Sequence, residues 1–204
     1  MVKNISNKIE FGKLRKAIEQ MVSIPEKEWL YATQYIHKRI YKKGGFLIQA
    51  GETINHFFFI NKGLVRFFYI TEPGKEFNKH FAKENDFAGS YVSTILNYPC
   101  PYFIQALEKT ETCILTKQLL QELYDRHPVW ERIGRIKAER LAIQKEFREK
   151  EFLLDTAETR YRRFLEEFPD LTDRIPQYYI ASYLGITDVA LSRIRKKMKP
   201  INPG

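Results

Sequence analysis

The chain is predicted to be α+β: a β-sandwich or β-roll preceded by helices, then one long helix, then a helical hairpin at the carboxyl end. Three observations predict this. From about Tyr41 to Thr116, short aromatic and β-branched runs are punctuated by Gly44, Gly45, Gly51, Gly63, Gly74 and Gly89. From Pro128 onward, apolar residues recur by fours and threes. Residues 175–198 combine small, turn-forming, apolar and basic positions in the order two crossing helices need. At 204 residues, 44% of them hydrophobic, the chain can bury a core and form one large or two smaller domains.

Residues 1–38 read as mostly helical, with Pro25 opening a segment that carries Trp29, Ala32 and Ile36 at helical spacing. The amino-terminal stretch "MVKNISNKIEFGKLRKA" has basic residues but no apolar core, so no secretory signal is read there and a cytoplasmic location is expected. The strand region follows, in "YKKGGFLIQAGE", "HFFFINKGLVRFFYIT", "EPGKEFNKHFAKENDF" and "YFIQALEKTETCILT". Strands this short and this evenly spaced imply a β-sandwich or β-roll.

Within it, residues 87–107, "FAGSYVSTILNYPCPYFIQAL", hold no charged residue in a chain that is 29% charged. The stretch is long enough to cross a bilayer. Its prolines Pro99 and Pro101, and its polar Ser90, Ser93, Thr94, Asn97 and Gln105, exclude a lipid-facing helix, so no membrane partner is expected. Cys100 and Cys113 are too few for a disulfide framework or an iron–sulfur cluster and read as buried thiols.

After Pro128, a good first helical residue, the series Val129, Ile133, Ile136, Arg140, Ile143, Phe147, Lys150 and Leu154 follows a heptad broken at Arg140 and Lys150. A helix of about 25 residues would run roughly 37 Å. The stripe can pack on its own β-domain or on a partner helix across a two-fold axis, and a 3.5-residue period kept this long favours the pair. "DTAE" then offers a capping box from Asp155 to Glu158. Ala157, Tyr161, Phe164 and Phe168 line one face until Pro169 stops it. The predicted domains are therefore residues 1–124, the long helix 125–154, and 155–204.

The densest signal is "IPQYYIASYLGITDVALSRIRKKM". Ala181 is the small residue where two helices touch, Gly185 supplies a turn at positive φ, and Ile180, Leu184, Ile186, Leu191 and Ile194 face a shared core. Thr187 is placed to cap the second helix. On a wheel, Leu191, Ile194 and Met198 share one side, leaving Val189, Ser192, Arg193, Lys196 and Lys197 on the other. Residues 187–204 hold five basic residues against Asp188 alone, in a chain of net charge +9. That pattern suits a helix that enters the major groove of double-stranded DNA. There Arg193 would pair with guanine, Ser192 would bond base or phosphate, Val189 would meet a thymine methyl, and Lys196 and Lys197 would hold phosphates. A helical hairpin with a solvated basic face is the plainer alternative. The chain ends soon after Met198, so a C-terminal wing is expected to be short or absent.

Taken together, these motifs resemble the Crp/Fnr-type bacterial transcription regulators. "KKGGFLIQAGE", "FFFINKGLVR" and "NDFAGS" are similar to that family in glycine spacing at Gly44, Gly51, Gly63 and Gly89, and "TAETRYRRFLEEFP" with "IPQYYIASYLGITDVALSRIRKK" resembles the DNA-binding half of one branch. The resemblance implies a cyclic-nucleotide-binding-like domain built as a double-stranded β-helix (jelly roll), a long dimerisation helix, and a winged-helix-like helix-turn-helix domain. It implies a homodimer on a palindromic operator, with RNA polymerase a further candidate partner. In relatives that bind cyclic AMP, a phosphate cassette follows the glycine matched by Gly89. An ungapped match puts its ribose-binding Glu on Ser90 and its Arg-Ser pair on Cys100-Pro101. Both functions are lost, and no cation lies in residues 87–107 to compensate a buried phosphate. Cyclic AMP is therefore not expected as a ligand, nor an iron–sulfur cluster, since the family's N-terminal cysteines are absent. Asp188 and Val189 stand where other members place Arg and Glu, so operator sequence does not carry over.

Two other readings are weighed. A regulator that takes an unknown apolar effector would use Gly89, Ser90, Tyr91, Cys100, Pro101 and Tyr102, with Ile95 and Tyr98 nearby; the same residues also read as plain core. A cupin-like metal enzyme would need clustered histidines, whereas His37, His56 and His80 stand 19 and 24 residues apart. No metal site and no catalytic triad is read from the chain.

Overall fold

A computed structural model of the chain describes residues 11–198; Lys199 and any wing beyond Met198, like residues 1–10, lie outside the described residues. Helices α1 (Gly12–Glu19) and α2 (Glu26–Ala32) come first, then strands β1 (His37–Tyr41), β2 (Phe46–Ile48), β3 (His56–Lys62), β4 (Val65–Ile70), β5 (Glu76–Ala82) and β6 (Phe87–Ala88). Helix α3 (Tyr91–Leu96) interrupts the strands before β7 (Phe103–Ala106) and β8 (Thr110–Thr116). The remainder is helical: α4 (Lys117–Arg126), α5 (Pro128–Leu154), α6 (Ala157–Glu167), α7 (Gln177–Leu184) and α8 (Asp188–Met198).

The strands form two four-stranded sheets, ordered β1-β8-β3-β6 and β2-β7-β4-β5, the jelly-roll arrangement the sequence predicts. Within the first sheet β3 runs antiparallel to β8, with Phe57 opposite Leu115 and Phe59 opposite Cys113. The run "FFFI" in β3 has no polar alternation because both its faces are covered. Phe58 and Ile60 point into a core shared by the two sheets, with Tyr41, Ile48, Val65, Phe67, Tyr102 and Ile104. Phe59 points the other way, into a second core with Leu14, Ile18, Trp29, Leu119, Leu123, Trp130 and Ile133 from the helices. Glu28 is buried in that helical layer, where Arg126 Nε donates to it at 2.9 Å and the Trp130 indole at 3.4 Å.

Three sequence expectations are corrected. The strands begin at His37 rather than near Tyr41: β1 lies at a sheet edge with four of its five side chains exposed, so no apolar pattern announced it. The cap of α6 is Thr156, not Asp155. Thr156 Oγ1 accepts from the Thr159 amide at 3.2 Å, while Asp155 pairs with Arg163 at 2.7 Å. The chain also divides into compact units inside α5 rather than after it. One unit takes the chain up to Phe67 together with Phe81–Ala142, the other Phe68–His80 together with the chain from Ile143 onward. A continuous helix crosses that division, so no linker marks it in the sequence.

Candidate functional site

Helices α7 and α8 are joined by a turn whose glycine has two reasons to be one. Gly185 caps α7 in the left-handed region at φ 70°, and a Cβ there would stand 2.9 Å from Phe152 Cε1. The Ile186 amide returns to the Ala181 carbonyl at 3.0 Å, and Thr187 Oγ1 accepts from the Ala190 amide at 3.2 Å, capping α8. Ile180, Ala181, Leu184 and Leu191 are buried between the helices, while Ile186 and Ile194 are half-buried.

The opposite side of α8 faces solvent: Val189 is 62% exposed, and Ser192, Arg193, Lys196 and Lys197 are exposed with it. Among the described residues, neither Arg193 nor Lys196 forms a hydrogen bond or ion pair. The other cations of the helix are engaged. Arg195 donates to Gln177 Oε1 at 2.9 Å, and Gln177 reaches the Asp188 carbonyl at 3.5 Å, so this pair braces α8 against α7. Lys197 Nζ lies 3.0 Å from Glu158 Oε2 on α6. A count of charges along the sequence could not separate the braced cations from the open ones.

The same unit holds a contact that no motif announced. Ser182 on α7 accepts from the Asn78 amide at 2.9 Å and donates to the Glu76 carbonyl at 3.2 Å, standing in for a strand neighbour along edge strand β5. His80, two residues on, packs against Phe168 with ring centroids 6.3 Å apart. Burial, then the charges of Lys145, Lys79 and Arg148, push the His80 imidazole down to about 3. Arg148 in turn covers the Tyr183 ring at 3.8 Å and donates to the Tyr183 carbonyl.

Only the first part of the heptad stripe packs on its own unit. Val129 and Ile133 are buried in the helical core of the first unit and Ile136 is half-buried. Arg140 is exposed, Ile143 and Phe147 are 52% and 58% exposed, and Leu154 is 74% exposed. The carboxyl half of α5 thus leaves large apolar side chains half or more exposed at Ile143, Phe147 and Leu154.

The charge-free segment is satisfied from within. A Cβ on Gly89 would stand 2.5 Å from the Phe57 ring, so the backbone there admits only glycine. Ser90 is fully buried and its hydroxyl accepts from the Ser93 amide at 3.3 Å, capping α3. Ser93 Oγ accepts from the Ile54 amide at 2.7 Å, and Thr94 donates to the His56 carbonyl at 3.3 Å. The Tyr102 hydroxyl donates to the Gly89 carbonyl at 2.9 Å, and the Cys100 thiol contacts the Tyr102 carbonyl at 3.2 Å. Ser90, Cys100 and Tyr102 therefore point inward, whereas Tyr91, Ile95 and Tyr98 are 39%, 52% and 60% exposed and Pro101 is exposed. Of the residues read as one apolar pocket, Gly89, Ser90, Cys100 and Tyr102 come together inside the roll, while Tyr91 and Pro101 are exposed. A cation does reach the segment, from outside it: Lys117 Nζ donates to the Ile95 carbonyl at 3.1 Å. Cys100 and Cys113 are both free and buried.

No helix among the described residues is long and apolar enough to cross a membrane. Residues 38–127 match the family model described as cyclic nucleotide-binding domain. The anaerobic regulatory protein of Pasteurella multocida is 30% identical over 91 residues, which is 45% of this chain and 33% of that protein. The match thus spans about a third of the curated relative's length. Among solved structures, FixK2 from Bradyrhizobium japonicum superposes with a TM-score of 0.68 at 17% identity, covering 80% of this chain and 84% of that one. The Thermus thermophilus catabolite activator protein gives 0.55 at 20% identity, covering 89% and 86%. At these identities the likeness is one of fold.

Proposed function

We propose that this chain, with its match to a cyclic nucleotide-binding domain and its regulator-like fold, is a Crp/Fnr-type regulator of transcription that binds duplex DNA through α8. The observation that carries this reading is the one-sided helix: Leu191 is fully buried on one face, while Val189, Ser192, Arg193 and Lys196 stand open on the other. Arg193 is the base-reading side chain in this reading, a bidentate donor to guanine, and Lys196 a phosphate contact. The exposed apolar half of α5, Ile143, Phe147 and Leu154, supports a homodimer closed across that helix. Two recognition helices related by a two-fold axis would address half-sites of a palindrome about 34 Å apart.

We also propose that the β-roll is a structural module that no longer takes cyclic AMP. Its position for the ribose-binding carboxylate is Ser90, whose hydroxyl is spent on capping α3, and the phosphate-binding pair is replaced by Cys100 and Pro101. The segment itself offers a cyclic phosphate no cation, and two that reach it from outside, Lys117 at the Ile95 carbonyl and Arg66 at Gln105, are bonded to protein oxygens. Selection of bound fragments from a random duplex pool, with a parallel thermal-shift titration of cyclic AMP, tests both halves. Enrichment of a palindrome and an unmoved melting temperature are expected. No enriched sequence and no duplex binding even at ~20 mM salt, where the electrostatic term is strongest, would remove the DNA reading. A rise of several degrees with cyclic AMP would remove the second.

A further inference from the structure

We infer that Glu158 is a built-in competitor for DNA phosphate at Lys197, which holds the affinity of the recognition helix below what its charge would give. The inference rests on the DNA-binding reading. Glu158 sits in the first turn of α6, outside the helix-turn-helix itself. Its two carboxylate oxygens each take one cation: Oε1 accepts from Arg162 at 2.9 Å and Oε2 from Lys197 at 3.0 Å. The two non-bridging oxygens of a phosphodiester offer the same pair of acceptors to the same kind of donor. The Arg162 and Lys197 contacts together hold the Glu158 carboxyl below its ordinary range, so it stays a full anion at neutral pH.

Lys197 is 76% exposed in its side chain, one residue from Lys196 and four from Arg193, on the open side of α8. An ion pair this exposed is weak, its worth at most about a fivefold factor in an equilibrium. Glu158 therefore does not lock Lys197 away. It imposes an exchange: to reach a phosphate, Lys197 must first leave a carboxylate, and part of the gain is cancelled. Arg193 and Lys196, with no acid beside them among the described residues, pay no such toll.

Removing the acid should strengthen binding, an outcome that damage to the fold does not produce. Glu158→Gln is expected to tighten the selected duplex about two- to fivefold at low salt, the range an exposed pair allows, with the gain shrinking as salt rises. In the Lys197→Ala background the same change is expected to do nothing. Glu158→Asp keeps the charge but shortens the reach, and is expected to give part of the gain, which a mere change of net charge does not predict. Lys197→Ala should lower the salt slope by about 0.9 in the Glu158→Gln protein and by less in the parent. The inference is overturned if Glu158→Gln leaves affinity unchanged or lowers it, or if its gain is as large with Ala at position 197. Wild-type protein that binds no duplex in dilute salt would instead refute the DNA reading beneath it.

Discussion

The charge-free segment 87–107 and helix α8 both carry polar side chains beside an apolar core, and they dispose of those polar groups in opposite ways. In the first, Ser90, Ser93, Thr94 and Tyr102 each bond to backbone within the roll. In the second, Ser192, Arg193 and Lys196 are turned to solvent. Polar groups that bond to their own fold contribute order, since leaving any of them unpaired in the interior is costly. Polar groups held out on a braced helix are available to a ligand without prior rearrangement. The contrast sets polar groups used within the fold against polar groups left open to solvent.

The largest effect that could break this contrast lies at Tyr102. It is 8% exposed, fills the space between the sheets beside Phe67 and carries the bond to Gly89. Tyr102→Ala should cost about 3–5 kcal/mol, the range for emptying a buried aromatic site, as measured by urea unfolding. At a temperature where the variant remains folded, duplex affinity should stay within about twofold of the parent, since no free energy of the DNA contact resides there. A tenfold loss of affinity in folded protein would mean that the roll is coupled to α8, and the contrast would fail.

The next effect concerns acid. His80, held at about 3 in the fold and near 6.5 when unfolded, is depressed, so the unfolded chain binds the extra proton. Its contribution to stability is present above about 6.5 and is lost as pH falls toward 3. Between pH 7 and pH 5 that amounts to about 2 kcal/mol. The second unit contains His80 but neither Trp29 nor Trp130, which both belong to the first. Urea unfolding followed by helical signal is therefore expected at lower denaturant at pH 5 than at pH 7, with a smaller shift when followed by tryptophan fluorescence, and His80→Gln should remove most of the difference between the two pH values. Equal acid sensitivity in parent and variant would show that His80 is not the group responsible.

Much of this was legible in the chain. The turn at Gly185, the buried Ile180, Leu184 and Leu191, and the exposed set from Val189 to Lys197 follow from local spacing and emerge where the pattern put them. The β-roll followed from glycine punctuation. What sequence reasoning missed depends on residues far apart in the chain. Ser182 meets Asn78 across 104 positions. Glu158 meets Lys197 across 39. Neither residue type is unusual where it stands, so nothing local distinguishes a clasp from a solvated side chain. The heptad stripe left two readings open for a different reason: periodicity reports that one face is apolar but not what covers it. Val129 and Ile133 are covered by their own unit, while Ile143 and Phe147 are not. Strand β1 was invisible because an edge strand pairs by backbone and need bury little.

The smallest effects separate two cations of α8 that look alike in the sequence. Arg193 and Lys196 are both exposed and both free of partners among the described residues. Only the guanidinium has the planar fork that matches guanine O6 and N7, while the ammonium acts as a point charge. Arg193→Ala should therefore weaken the selected duplex about tenfold, at the lower end of the worth of a bidentate base contact, and weaken a scrambled duplex much less. Lys196→Ala should weaken both duplexes equally and reduce the salt slope by about 0.9, the release expected from one phosphate. Anisotropy titrations of the two variants on both duplexes across a salt series measure these quantities. Equal losses for Arg193→Ala on selected and scrambled DNA would leave α8 a positively charged rod with no reading function, and the sequence preference would have to come from DNA shape.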